Sequence, residues 1–365
     1  MNRKIIPAVF ALVACAAAAS LLADEVPDQD LDVPYEPSHP KVVQGMLQAG
    51  RVQAGDVLFD LGCGDGRIVI AAAKLGAVAH GIDIDEQRLI EARERAQAEG
   101  VTSRATFSKE DIFKTDLSRA TVVTMYLLDE INLKMRPLLF RMLKPGTRIV
   151  THAFNMNDWQ PDQTITNDRA RDKKIMFWLI PASAGGTWTS ADGKITLEVR
   201  QRFQMLTGKI RAGNKEAALA GRMDGKAISM KTAGGAAITA QINGTIDGSE
   251  MQVSIPGLMP RGAMKLTSAP LEGEWTIDVK GNSNLTGKLR LTRSGKNYTA
   301  EFNGDKRYEI YDLYVWGSSV YFRVPVYGED SYAIYHGNLG PEGGSGEVGN
   351  EQASFGKAWT AVKSR

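Results

Sequence analysis

"LFDLGCGDGRIVIAAA" (Leu58–Ala73) changes character twice within sixteen residues. It opens as a short apolar strand, passes through Gly62, Gly64 and Gly66, and continues with the apolar spacing of a helix. Three glycines in a strand-to-helix turn let the backbone approach a ligand with no Cβ in the way. The spacing is G-x-G-x-G, not the G-x-G-x-x-G of dinucleotide-binding turns. The turn also carries Asp60 and Asp65. Two carboxylates would repel a pyrophosphate by more than a helix N-terminus, worth ~0.3–1 kcal/mol, recovers. They would attract a ligand bearing an ammonium group.

Outward from the turn, strand and helix alternate over 38–181. "PKVVQGMLQAG" has helical spacing and a glycine stop. "AVAHGIDID" reads as a second strand, "DEQRLIEARERAQAEG" as a second helix, "RATFSKEDIF" as a third strand and "ATVVTMYLL" as a fourth, apolar enough to be buried on both faces. "INLKMRPLLFRMLKPG" is expected to be helical despite Pro137, with "TRIVTHAF" and "KKIMFWLIP" as the last strands. Such alternation calls for a parallel sheet covered on both faces, with the ligand at the carboxyl ends of the strands. Two further acids are expected there. Asp83 ends the second strand, where a carboxylate accepts both hydroxyls of a ribose, and Asp111 ends the third, where it accepts from an adenine amino group. An ammonium, a ribose and an adenine together describe S-adenosylmethionine (SAM).

On the motifs "DLGCGDGR", "GIDID", "KEDIF" and "LKPGTRIV", the segment from about Val33 to Pro181 resembles the class I SAM-dependent methyltransferases. "YEPSHPKVVQGML", "ATVVTMYLLDEINLKMRPLL" and "GTRIVTHAFNMNDWQPD" resemble, more narrowly, the group containing the lysine methyltransferases of the ATP synthase c subunit and the adenine nucleotide translocase. The resemblance implies a seven-stranded, doubly wound α/β sheet whose last strand is antiparallel. It implies that Asp60, Gly62, Gly64 and Gly66 flank the methionine part of SAM, Asp83 the ribose and Asp111 the adenine. Cys63, Ile84, Ile112 and Tyr126 complete the expected cofactor-binding set. Tyr126 ends the fourth strand beside the transferred methyl, or is a core aromatic. His152 ends the fifth as a second catalytic candidate, or is a packed histidine. Tyr35 either covers the cofactor or packs in its loop. "MYLLDE" lacks the N-P-P-Y pattern of amide and base N-methylation, and a protein lysine is the expected acceptor.

Beyond Pro181 the helical period disappears. This region holds 27 of the 37 glycines, and seven of the ten tyrosines fall between Tyr308 and Tyr335. Alternating runs such as "KITLEV", "KLRLTR" and "SVYFRV" predict an all-β region of barrels or sandwiches. "GTWT" at Gly186 recurs as "GEWT" at Gly273, each followed by "TGK", which divides the region into units 186–268 and 273–362. Tyr308 to Tyr335, with Trp316, either grip sugar or lipid or fill a small barrel.

Arg3 and Lys4 precede an apolar run from Ile5 to Ala23, followed by an acidic, proline-containing linker over 24–37. "LVAC" allows lipoprotein processing at Cys15, residues Ala19 to Ala23 allow ordinary cleavage, and the run also suits an uncleaved anchor. Each places the chain at a bacterial envelope, membrane-associated through its N-terminus. A net charge of +2 provides no field for nucleic acid. Cys15 and Cys63 are not expected to pair, and four scattered histidines predict no metal site. Two functions follow: a SAM-dependent methyltransferase, or an exported envelope binding protein that retains the fold and grips its ligand with the β region. The intact acid set favours the first.

Overall fold

The computed structural model describes residues 35–166, 174–267, 271–295, 297–310, 312–325, 332–349 and 357–364. The apolar N-terminal run, Cys15 and most of the linker lie outside them. No helix among the described residues is long and apolar enough to cross a membrane.

Residues 37–365 form one compact unit. Its first part runs α1 (Pro40–Ala49), β1 (Val57–Leu61), α2 (Arg67–Lys74), β2 (Val78–Asp83), α3 (Glu86–Ala98), β3 (Ala105–Lys109), β4 (Val122–Met125), α4 (Asp129–Met142), β5 (Arg148–His152), β6 (Gln163–Thr166) and β7 (Lys174–Leu179). The sheet order is β3-β2-β1-β4-β5-β7-β6, and β7 runs antiparallel to both its neighbours. This is the expected seven-stranded sheet with its antiparallel last strand. Leu58, Ala79, Ala105, Val122 and Val150 pack one face against Val43, Met46 and Leu47 of α1, Val69 and Ala73 of α2, and Leu89 of α3. Caps fix where helices begin. Pro40 sits in the first turn of α1, and Asp85 Oδ1 accepts the Gln87 amide at 2.9 Å at the start of α3. The sequence reading missed β6: "QTIT" is four residues at a sheet edge, too short and too polar to show a period.

The β-rich region forms two sheets. Eight antiparallel strands from Gly186–Ser190 to Met259–Leu266 make a closed barrel, its first and last strands pairing through Trp188↔Leu266. Nine more, from Gly273–Val279 to Lys357–Lys363, make a curled sheet that nearly closes. Each has its own apolar core. The "G-x-W-T" echo is structural. Gly186 and Gly273 have φ of 125° and 131°, Trp188 and Trp275 are fully buried, and they pair with Leu197 and Leu289 at equivalent registers. The "TGK" echo is not: Lys209 lies in the third strand of the barrel and Lys288 in the second strand of the sheet.

An aromatic seam joins these sheets to the first part. Phe140 of α4 meets Trp159 at 4.5 Å and Tyr314 at 4.7 Å, Trp159 meets Phe203 at 5.8 Å, and Tyr314 stacks on Trp316. Tyr314, Tyr321, Tyr335 and Trp316 are therefore buried in the seam and core. Tyr311 and Tyr327 lie outside the described residues.

Candidate functional site

The parallel strands β1, β2, β3, β4 and β5 bring their carboxyl ends to one edge. There the turn after β1 folds over β2: the amides of Gly62 and Cys63 both donate to Ile82 O, at 2.8 and 3.0 Å. Gly62, Gly64 and Gly66 have φ of 73°, 50° and 73°, left-handed values that favour glycine. Gly66 is fixed a second way, since a Cβ there would lie 2.5 Å from Phe107. Cys63 is a buried thiol, pushed up by burial and then by Asp60 and Asp83.

The four acids of the turn and strand ends have different environments. Asp60 is buried inside β1, at 2% exposure. The register that places it opposite Thr124 gives it one donor, Thr124 Oγ1 to Oδ1 at 2.7 Å. Burial pushes its pKa up to about 7, the Thr124 hydroxyl opposes the shift, and the negative charges of Asp83 and Asp65 add to it. Asp83 accepts the Gly64 amide at 2.7 Å and the Asp85 amide at 3.0 Å, so its carboxylate is fixed at the rim of the turn. Ile84 beside it is a large apolar side chain left 38% exposed. Asp111 lies two residues beyond the end of β3. It closes its own turn through the Phe113 amide at 2.9 Å and pairs with Lys114 at 3.1 Å; the Phe113 bond holds its pKa down despite some burial. Half-buried Ile112 follows it.

Asp65 does not share the role the sequence suggested. Its carboxylate takes Arg67 Nε at 2.9 Å, Arg67 Nη2 at 2.5 Å and Arg95 Nη1 at 2.7 Å. Burial would raise its pKa, but the two guanidiniums outweigh it and hold the group at about 2. Asp65 is thus a neutralised structural anion, and the carboxylates left to meet a cation at the turn are Asp60 and Asp83.

On the other side of the same edge, Met125 pairs with Thr151, so Tyr126, just past the end of β4, and His152, the last residue of β5, stand side by side. Their ring centroids are 3.9 Å apart, and Phe154 packs on Tyr126 at 5.9 Å. His152 is 1% exposed and its Nδ1 hydrogen-bonds Ser38 Oγ at 3.0 Å. Arg67 Nη1 donates to Ser38 O at 2.6 Å, tying this segment to the glycine turn. The structure thus brings together Tyr126 and His152, buries His152 as a packed histidine bonded to Ser38, and adds Ser38, Phe154 and Thr124. Thr124 had a signal, a hydroxyl between Val123 and Met125 in the middle of the apolar run "ATVVTMYLL". Ser38 had none, lying 114 positions from its partner. Among the described residues no group of three His, Cys, Asp or Glu could hold a metal ion.

The donor set suits SAM. Asp60 and Asp83 offer negative charge and fixed acceptors, Ile84 offers an apolar platform, and Arg67 is spent on Asp65 and Ser38 rather than turned to a phosphate.

The ANTKMT methyltransferase domain matches residues 60–163. A protein-lysine N-methyltransferase of Saccharolobus islandicus is 47% identical over 135 residues, which cover 36% of this chain and 84% of that protein. A human lysine N-methyltransferase named for the ATP synthase c subunit is 33% identical over 130 residues, covering 36% of this chain and 55% of that protein. A crystal structure described as an RNA methyltransferase from Salinibacter ruber, bound to S-adenosylhomocysteine, is 44% identical; it covers 40% of this chain and 94% of that one, with a TM-score of 0.39. With 84% of a 47% identical relative covered, and the family's domain matching the stretch 60–163 that carries the glycine turn and the aromatic pair, the chain belongs to the ANTKMT family of SAM-dependent methyltransferases.

Proposed function

We propose that the protein methylates the ε-amino group of a lysine in a protein acceptor. The observation that carries this is the 47% identity to a protein-lysine N-methyltransferase across 84% of that protein. In this reading Asp60, Gly62, Cys63, Gly64 and Gly66 hold the methionine part of SAM, Asp83 and Ile84 the ribose, and Asp111 and Ile112 the adenine. Bound SAM supplies a methyl group activated by its positive sulfonium. The protein's own work is positioning and exclusion of water. Tyr126, His152 and Phe154 form an aromatic wall at the ends of β4 and β5. An apolar wall disfavours the ammonium form of an entering lysine and so favours the neutral amine, which alone has a lone pair to donate. The hydrogen bond between Ser38 and His152 keeps the ring in the plane that packs on Tyr126. "MYLLDE" in place of an N-P-P-Y pattern speaks against base or amide nitrogen as acceptor.

The proposal includes a place of action at the bacterial envelope, reached through the cationic, apolar N-terminus and its "LVAC". A reporter fused to residues 1–30 and active only outside the cytoplasm checks this; a silent reporter removes it. The acceptor is checked by incubating the protein with SAM and peptides rich in lysine, with arginine-for-lysine peptides and RNA as controls. Methylation of the lysine peptides alone supports the reading. Methylation of RNA alone overturns it.

A further inference from the structure

Arg136, in the middle of α4, is wholly buried. A guanidinium is tolerated there only when its donors are met. Its donors reach three parts of the chain. Nη1 donates to Met156 O at 2.9 Å and Asp158 Oδ1 at 2.7 Å, in the segment that follows β5. Nη2 donates to Asp312 Oδ2 at 2.5 Å and Tyr321 Oη at 3.2 Å, and Nε to Tyr314 Oη at 3.1 Å; the tyrosines lie in strands of the nine-stranded sheet and Asp312 just before one of them. Asp158 also accepts from Tyr321 at 2.9 Å and from Arg202 of the barrel at 3.0 Å. Next to it, Trp159 Nε1 donates to Gln204 Oε1 at 3.0 Å. Both β sheets therefore grip one short stretch, 153–159.

That stretch begins beside His152 and carries Phe154, which packs on Tyr126. Its backbone is strained: Ala153 and Asn157 have φ of 63° and 58° without being glycine. Such conformations persist only where the surroundings hold them. Near the acceptor wall the stretch is held by Asn132 Nδ2, which donates to Phe154 O and Asn155 O, both at 3.3 Å. Its far end is held by Arg136 and the β region.

We propose that the β region is a clamp for the acceptor wall, with Arg136 as the positioning residue that transmits its hold. Asp312, Tyr314 and Tyr321 fix the guanidinium, the guanidinium fixes Met156 and Asp158, and the strained stretch between them and His152 keeps Phe154 against Tyr126. The glycine turn and Asp83, which hold SAM in the reading above, lie outside this chain of contacts, so methyl transfer and cofactor binding respond to it differently. The catalytic part of the test rests on the lysine reading; the exchange part does not.

The experiment uses the full chain with S-adenosylhomocysteine bound, as Asp312→Asn, Tyr321→Phe and Asp312→Glu variants, which avoid deleting the buried arginine. Hydrogen exchange read by mass spectrometry is expected to quicken about tenfold in peptides covering 153–160 of Asp312→Asn, less in Tyr321→Phe, with peptides covering 57–85 unchanged. Affinity for S-adenosylhomocysteine stays within about twofold, while kcat on poly-lysine falls about fivefold or more at unchanged KM for SAM. Asp312→Glu restores both. Unchanged exchange at 153–160, or exchange that rises equally throughout 37–181, overturns the proposal. A wild-type protein that leaves poly-lysine unmethylated refutes the acceptor reading, and the exchange result then decides the clamp by itself.

Discussion

Asp60 is expected to make cofactor binding depend on pH in a way that can be worked out beforehand. Burial, with Asp83 and Asp65 nearby, lifts its pKa to about 7 against 3.8 for an ordinary aspartate. A cationic ligand favours the ionised carboxylate, so binding at lower pH must first remove a proton. At about pH 5.5 roughly one Asp60 in thirty is ionised, and affinity should be roughly thirtyfold weaker than above pH 7, about 2 kcal/mol. Titration calorimetry between about pH 5.5 and 7.5, repeated in buffers of different ionisation enthalpy, measures the affinity and the proton released together. Asp60→Asn should bind more weakly at neutral pH and lose the slope. The stability of the ligand-free protein should move in the opposite sense. Between pH 3.8 and about 7 the folded carboxyl keeps a proton that the unfolded one has lost, so this group's contribution falls as pH rises through that window. Affinity that is flat with pH in the wild type, or a slope that survives Asp60→Asn, would refute the assignment of the charge to this residue.

Gly66→Ala should destabilise the fold by ~2 kcal/mol or more, because a Cβ would lie 2.5 Å from Phe107 at a φ of +73°; thermal melting with and without ligand measures it. Asp65, held at about 2 by Arg67 and Arg95, contributes stability above pH 3.8 that is lost as pH falls toward about 2, so Asp65→Asn should flatten the acid limb of the stability curve. A chain ending at Ser183 leaves Arg136 without Asp312, Tyr314 and Tyr321 and bares Phe140 and Trp159. It should lose about 3–5 kcal/mol or aggregate, and a soluble fragment that melts with the full chain would contradict this. Ser38→Ala should cost ~1 kcal/mol and slow methyl transfer while SAM affinity holds, as paired calorimetry and rate measurements would show.

The sheet was legible because its strands are short apolar runs between glycine-ended helices, and this pattern survives without tertiary information. β6 was not, because an exposed four-residue edge strand leaves no period. Asp60, Asp83 and the glycines were legible for the same local reason: a strand, a turn and the next strand end lie close together in the chain. Asp65 shows where such reading stops. Its charge is visible, but nothing in the sequence brings Arg95, 30 positions away, onto it. Arg136 looked like an ordinary polar position on α4, and its partners in the β region lie 176 to 185 residues further on. Of the tail's repeated motifs, the tryptophan was informative because a buried indole in a strand must take a fixed register. Thr-Gly-Lys was not, since Thr207, Lys209 and Lys288 are exposed and constrain no register.

The most direct measurement is the chemical identity of the methylated product. The purified protein is incubated with SAM carrying a labelled methyl group and with a bacterial membrane and protein extract, and the recovered protein is hydrolysed to amino acids. Lysine methylation with SAM held by Asp83 predicts label in ε-N-methylated lysine, abolished in Asp83→Ala, whose carboxylate is expected to accept the ribose hydroxyls. Label recovered in nucleic acid or in another amino acid, or lysine label that survives Asp83→Ala in a folded protein, would contradict it.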